Sequence, residues 1–161
     1  MKNLLLIACL LFCGRLVAQS YKIENNQLIL DYPVLFKTGS AELKPESDSA
    51  LFTVKNFMDA KSYISLLRVE AHTADQGPAG QKLSEQRALA VCSWLVKHGI
   101  DCKRLLPVGF GGSKPVADTQ SPEGRGLNAR CVFAMAEIKG KAIGGMPVDG
   151  GGAAAGNPCT Q

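Results

Sequence analysis

The fold is decided by residues 69–91, VEAHTADQGPAGQKLSEQRALAV. They begin with an alternating strand pattern, continue through a polar loop with two glycines, and end in a helical pattern predicted to start at Leu83 and Ser84. This assignment places Arg87 in the first turn of a helix beside a strand end. Backbone N–H groups and a guanidinium can hold an anion together at such a position, so the stretch predicts an anion-binding pocket.

Three further motifs occur in order around this stretch: VLFKTGSAEL at 34–43, VGFGGSKPVA at 108–117 and GRGLNARCV at 124–132. Together with the HT…G…LSEQRA run, they resemble the OmpA C-terminal-like domain family. This is the family of envelope modules that bind peptidoglycan in outer-membrane protein A, peptidoglycan-associated lipoproteins and flagellar stator proteins. The resemblance implies an α+β fold, a βαβαββ sandwich with a mixed four-stranded sheet and helices packed on it.

Hydrophobic periodicity predicts the individual elements. The strands are expected at residues 34–36, 63–71, 106–110 and 131–138, with helices from Pro45 and at 83–98, the second capped by Ser84 and ended by Gly99. A hairpin turning at Asn25 and Asn26 is expected to add an edge strand. The fourth strand is apolar at nearly every position, and we expect this hairpin to cover Cys131, Phe133 and Met135.

The chain divides into four segments. Residues 1–18 read as a cleaved secretory signal peptide, residues 19–33 as the N-terminal hairpin, residues 34–139 as the OmpA-like domain and residues 140–161 as a flexible glycine-rich tail. A lipobox-like run ending at Cys9 leaves acylation as a less favoured alternative to ordinary cleavage.

Charge and motif content exclude several classes of function. Without residues 1–18 the chain keeps 16 basic and 14 acidic side chains, and no run of Lys and Arg suggests nucleic-acid binding. The dispersed cysteines lack the spacing of a metal site, and no cofactor is implied. No nucleophile elbow, zinc-protease motif or Walker A motif is present, so an enzyme is not expected.

Four cysteines follow the signal segment: Cys92, Cys102, Cys131 and Cys159. Four cysteines allow three pairings, which the sequence does not distinguish. An oxidising compartment favours disulfides. Cys102–Cys131 is the pair we test first. Cys159 could pair with the domain or with another molecule.

The resemblance implies a ligand and its contacts. The ligand is the meso-diaminopimelate of the peptidoglycan stem peptide, whose free end carries an ammonium beside a carboxylate. Arg87 matches the family's carboxylate-binding arginine and Thr73 its threonine. At the family's ammonium-binding aspartate the chain has Ala74, and Asp75 follows one residue later in a shortened loop.

Three more departures surround this site: Ala71 replaces a glycine, Gly80 an asparagine and Ala129 an arginine. His72, Asn128 and Arg130 are expected to support the site, and Arg125 and Arg130 to form structural salt bridges. Two hypotheses follow: peptidoglycan binding through Arg87, Thr73 and Asp75, or an adaptor that kept the fold, lost the ligand and contacts other envelope proteins. The expected location is the periplasm or the outer-membrane-associated envelope of a Gram-negative bacterium.

Overall fold

The computed structural model describes residues 21–144 and 152–160, so the predicted signal segment and the lipobox-like run lie outside the described residues. The described chain begins with a hairpin of β1 (Tyr21–Glu24) and β2 (Gln27–Leu30). Asn25 and Asn26 form its two-residue turn with φ angles of 49° and 60°. Positive φ at both turn positions suits the twist of a hairpin and is tolerated by asparagine. The predicted hairpin is confirmed.

Helices and strands alternate after the hairpin. A 3₁₀ turn at Pro45–Ser47 leads into the first helix, as the proline predicted. The elements are α1 (Asp48–Ala60), β3 (Ile64–His72), α2 (Gly77–Lys97), β4 (Leu105–Gly111), α3 (Pro122–Asn128), β5 (Cys131–Ile138), β6 (Lys141–Ala142) and β7 (Ala153–Ala154). No helix among the described residues is long and apolar enough to cross a membrane.

All the strands belong to one mixed sheet in the order β1-β2-β5-β3-β4-β7, and β6 also pairs with β5. The strands β3 and β4 are parallel and are connected through α2, whereas β5 runs antiparallel to both β3 and β2. Because β3 and β4 are parallel, the loops that follow them meet at one edge of the sheet. The candidate site lies at this edge.

The main core lies between one sheet face and the helices α1 and α2. It contains Leu51, Val54 and Met58 of α1 and Val91 and Leu95 of α2, all fully buried. Phe133 and Met135 belong to the same core, and Cys131 packs against it. The expectation that the hairpin covers these three residues is therefore wrong. They face the helices, and the hairpin pairs beside β5 and extends the sheet.

Residues 34–36 do not form the predicted first strand. Phe36 makes only an isolated bridge with Leu43. The backbone N–H of Leu35 donates to Ser47 Oγ at 2.8 Å, and its carbonyl accepts from Lys44 N at 2.9 Å. With these groups bound to the start of the α1 region, Leu35 has none left for a strand ladder. The position beside β5 is taken by β2.

Within the tail predicted for residues 140–161, the described residues 152–160 are ordered against the domain, and residues 145–151 lie outside the described residues. Ala153 and Ala154 pair with the edge of β4, and Ala155 is buried against Ala71 and Ala88. Cys102 and Cys159 form a disulfide. Small side chains and glycine let this segment lie close to α2, and the covalent bond lowers the entropic cost of ordering it.

The predicted Cys102–Cys131 disulfide is wrong because Cys159 takes Cys102. Of the described cysteines, Cys92 and Cys131 are free. Burial raises the pKa of the Cys131 thiol to about 12, which keeps it protonated at neutral pH.

Candidate functional site

The helix α2 begins at Gly77, six residues before the predicted start at Leu83. Gly77 has a φ of 81°, and Pro78 follows in the first turn, where a proline loses no intrahelical hydrogen bond. The Gly77–Pro78 pair is a signal for a helix start, but it lies within the loop predicted from the sequence. Only residues 73–76 separate β3 from α2.

Ser84 is therefore inside α2 and is not its N-cap. Its Oγ donates to Gln81 O at 2.7 Å and accepts from Gly111 N at 2.8 Å, which fastens the helix to the end of β4. Arg87 lies in the third turn of α2, too far from the helix start for the terminal N–H groups to share its ligand. The predicted cooperation between Arg87 and the helix N-terminus is wrong.

Arg87 is nevertheless well placed to bind an anion. It is 9% exposed, its Nε donates to Ser40 O at 2.9 Å, and its guanidinium carbon lies 4.8 Å from the centre of the Phe36 ring. Burial lowers the pKa of Arg87, while Cys131 and Asp75 act in the opposite direction. Its two terminal nitrogens donate to no acceptor among the described residues. Ser40 and Phe36, which fix this geometry, were not predicted from the sequence.

The loop 73–76 carries Asp75 to the surface. The Asp75 carboxylate is half exposed and accepts a charge-assisted hydrogen bond from Arg125 Nη2 at 2.6 Å. The salt bridge expected for Arg125 is thus present, and its acidic partner is a predicted ligand-binding residue.

Thr73 is 3% exposed and makes internal contacts. Its Oγ1 donates to the carbonyl of Asp75 at 3.0 Å and lies 3.3 Å from the carbonyl of Gly80. The hydroxyl therefore holds the short loop against α2, and the structure gives Thr73 a positioning role instead of the predicted direct ligand contact.

Gly80 explains why the family's asparagine is absent here. A Cβ at this position would lie 2.0 Å from the carbonyl oxygen of Asp75. The shortened loop crosses α2 so closely that only glycine fits beneath it.

The predicted supporting residues lie behind this edge of the sheet. The Asn128 side chain is buried, accepts from Val116 N at 2.7 Å and from Ala117 N at 3.0 Å, and donates to Ala117 O at 2.9 Å. Arg130 donates to the carbonyls of Asn128 and Lys114 at 3.3 and 3.1 Å. Both residues therefore fix the loop that follows β4.

His72 belongs to a buried polar cluster on the sheet face opposite the main core. Its ring stacks on Phe110 with 5.0 Å between the ring centres, and its Nε2 lies 3.6 Å from Glu70 Oε2, too far for a hydrogen bond. Glu70 also pairs with Arg68 at 2.5 Å. Burial lowers the pKa of His72 and outweighs the opposing influence of Glu70. The cluster lies behind the loop that carries Thr73 and Asp75.

Two surface depressions meet at Asp75. The first, of about 390 Å³, is lined by Gly39, Asp75, Ala79, Gly80, Lys82, Leu83 and Gln86. The second, of about 300 Å³, is lined by Ala74, Asp75, Gln76, Thr119, Gln120 and Arg125. Asp75 borders both depressions, whereas Ala74 borders only the second. Asp75 is therefore accessible from both depressions, whereas Arg87 lines neither of them.

The described residues include no group of three or more His, Cys, Asp or Glu side chains able to hold a metal ion. The charged residues that line the two depressions are Asp75, Lys82 and Arg125. Such an arrangement can bind a ligand that carries carboxylate and ammonium groups.

Comparison with known proteins identifies the family. The OmpA family model matches residues 35–129. The chain is 37% identical over 116 residues to outer membrane porin F of Pseudomonas fluorescens, covering 71% of this chain and 33% of the porin. It is 31% identical over 120 residues to the probable lipoprotein YiaD of Escherichia coli strain K12, covering 71% of this chain and 54% of that protein. The chain spans about a third of the porin and about half of the lipoprotein.

The fold agrees with this assignment. The cell wall anchor of the type VI secretion system (T6SS) from Pseudomonas aeruginosa superposes with a TM-score of 0.60 at 25% identity, over 74% of this chain and 90% of the anchor. A MotB-like protein from Desulfovibrio vulgaris gives a TM-score of 0.61 at 22% identity, over 78% of this chain and 79% of that chain. The chain belongs to the OmpA family, and the predicted α+β class with helices on a mixed sheet is confirmed. Membership also agrees with the predicted location in the periplasm or at the outer membrane.

Proposed function

We propose that this protein binds peptidoglycan non-covalently and helps attach or organise the cell envelope. The family assignment supports this role, and the similar fold of a T6SS cell wall anchor supports the anchoring part of it. The similar proteins are named as a porin and a cell wall anchor, which favours a binding module over an enzyme.

The state of Arg87 is the observation that carries the proposal. Among the described residues, this nine-tenths buried guanidinium donates only through Nε, so two nitrogens in a fixed plane remain for a ligand. A carboxylate accepts two parallel hydrogen bonds from such a plane. We infer that Arg87 holds the carboxylate of diaminopimelate in the stem peptide and that Asp75 accepts its ammonium. Thr73 and Gly80 keep the loop in place.

Co-sedimentation of the mature protein with insoluble peptidoglycan tests this function. Arg87→Ala should lose most of the binding, and Arg87→Lys should keep only part, because lysine keeps the charge but loses the two-nitrogen geometry. Lys97→Ala, at the exposed far end of α2, removes a charge elsewhere and should bind normally. Equal binding by a folded Arg87→Ala variant would place the binding site elsewhere, and release of soluble muropeptides would indicate a hydrolase.

One observation favours the adaptor alternative. The Asp75 carboxylate, which the ligand ammonium needs, is already paired with Arg125. If the wild-type protein does not sediment with peptidoglycan, the family fold serves contacts with other envelope proteins here, and the partners recovered with the folded protein then define its role.

A further inference from the structure

The second depression beside Asp75 has no role in the function proposed above. It shares Asp75 with the first depression and is also lined by Arg125. The negative charge of Asp75 acts to raise the pKa of Arg87, and its carboxylate bonds to Arg125, so Asp75 interacts electrostatically with two guanidinium groups. We call the two depressions together the groove: Asp75 lines both, Lys82 is the cationic residue that lines the first, and Arg125 lines the second.

The Arg125 side chain can exchange partners. Its backbone is fixed in α3, where its N–H donates to Ser121 O at 2.9 Å and its carbonyl accepts from Ala129 N at 3.1 Å. By contrast, the side chains of Arg125 and Asp75 are 46% and 58% exposed, and ion pairs this exposed are weak. A ligand ammonium can therefore replace Arg125 at Asp75. The released guanidinium then needs an anion, and a ligand carboxylate can supply it.

The remaining lining of the second depression suits a peptide. It presents the side chains of Gln76, Thr119 and Gln120, which can donate to and accept from peptide groups. The backbone N–H of Gln120 donates to Asp118 Oδ1 at 2.9 Å, which fixes the loop that carries two of these residues.

We propose that Arg125 forms a second carboxylate subsite, across Asp75 from Arg87, that binds the free C-terminal carboxylate of a peptidoglycan stem peptide. This inference rests on the proposed function, because it assumes that Arg87 holds the first carboxylate. The ligand it selects carries a carboxylate for Arg87, an ammonium for Asp75 and a second carboxylate for Arg125.

Two synthetic stem peptides test the subsite. Both contain diaminopimelate; one ends in a free carboxylate and the other in a carboxamide. Calorimetric titration of the mature protein should give an affinity about three- to tenfold higher for the free acid, since an exposed charge-assisted contact is lost in the amide. In Arg125→Gln the two peptides should bind equally. Lys97→Gln, which removes a positive charge outside the groove, should keep the wild-type ratio.

The outcomes separate this inference from the proposed function. Binding that depends on Arg87 but is equal for the two peptides in the wild type, or an undiminished ratio in Arg125→Gln, would refute only the second subsite. No binding of either peptide, or binding unaffected by Arg87→Ala, would refute both proposals. Circular dichroism of Arg125→Gln checks the fold, which should be unchanged because the side chain is half exposed.

Discussion

At the scale of single residues, the ligand loop depends on the absence of a side chain at position 80. We predict that Gly80→Ala lowers the free energy of unfolding by about 1 to 3 kcal/mol, because the added methyl group overlaps the Asp75 carbonyl and forces the loop away. Urea denaturation measures the change, and peptidoglycan binding should fall with it because Asp75 moves.

Gly126→Ala is the matched control for this variant. Gly126 is also helical, and a Cβ there would contact nothing within 4 Å. It should be neutral or stabilising by up to about 1 kcal/mol, since alanine favours helix more than glycine does. Equal stability of Gly80→Ala and the wild type would mean that the loop can move without cost.

Asp75 provides a second test at this scale. If its carboxylate accepts the ligand ammonium, Asp75→Asn should weaken peptidoglycan binding by about 1 to 1.5 kcal/mol. This value is toward the lower end of the range for charge-assisted hydrogen bonds because the Asp75 side chain is half exposed. Asp59→Asn is the control, because Asp59 is a half-exposed carboxylate paired with Lys55 on α1. Binding that is unchanged in Asp75→Asn would make Asp75 a structural partner of Arg125 only.

At the scale of elements, the C-terminal segment closes the sheet. It covers the edge of β4 with a strand of only two residues, Ala153 and Ala154, so the disulfide rather than the ladder must hold it. An unprotected sheet edge invites pairing with other chains. The cysteine pair therefore protects the sheet as well as stabilising it.

We predict that replacing both Cys102 and Cys159 by serine lowers the free energy of unfolding by about 2 to 4 kcal/mol. The reason is that the bond joins residues 57 positions apart, and such a cross-link restricts the unfolded chain strongly. Urea denaturation with and without reductant checks this. Reductant should destabilise the wild type and leave the double variant unchanged; the same loss in both proteins would contradict the assignment.

At the scale of the whole molecule, the buried cluster around His72 and Glu70 makes stability depend on pH. Burial raises the pKa of Glu70, but His72 and Arg68 outweigh it and hold the pKa below its ordinary value of 4.5. Burial lowers the pKa of His72 below 6.5, with Arg130 and Lys114 contributing and Glu70 opposing. Below pH 6.5 the unfolded chain therefore binds a proton at His72 more readily than the folded one. Below pH 4.5 the same holds for Glu70.

We therefore predict that stability is greatest near neutral pH and falls in two stages on acidification, first through the titration of His72 and then through that of Glu70. Each unit of difference between the pKa in the folded state and the pKa in the unfolded state changes the free energy of unfolding by about 1.4 kcal/mol. In His72→Phe, which keeps the ring stacked on Phe110, the loss between about pH 7 and pH 5 should disappear. Denaturation at a series of pH values measures it. His98→Gln is the control, and a pH profile for His72→Phe identical to that of the wild type would exclude the cluster as the cause.

The sequence by itself determined the elements whose signals are local. Alternating apolar residues predicted the strands now seen as β3 and β4, and a nearly continuous apolar run predicted β5. The Asn25–Asn26 pair predicted the hairpin, and helical spacing predicted α1. These predictions agree with the structure because the residues that a helix or strand buries on one face are set mainly by their spacing along the chain. The family motifs also selected Arg87, which is nine-tenths buried with two nitrogens available.

Tertiary structure alone decided the features that join distant residues. The Asp75–Arg125 pair spans 50 positions, and the Cys102–Cys159 bond spans 57. Neither local periodicity nor composition specifies such partners. The same limit applies to residues 34–36, whose strand pattern was overridden when Ser47 and Lys44 bound the backbone of Leu35. The same limit applies to Arg87. Its position in the sequence suggested that it lies at a helix N-terminus, but in the folded chain its partners are residues of the loop before α1. Backbone groups bind whichever partner the packed chain brings within reach, and that choice is made only when the whole domain folds.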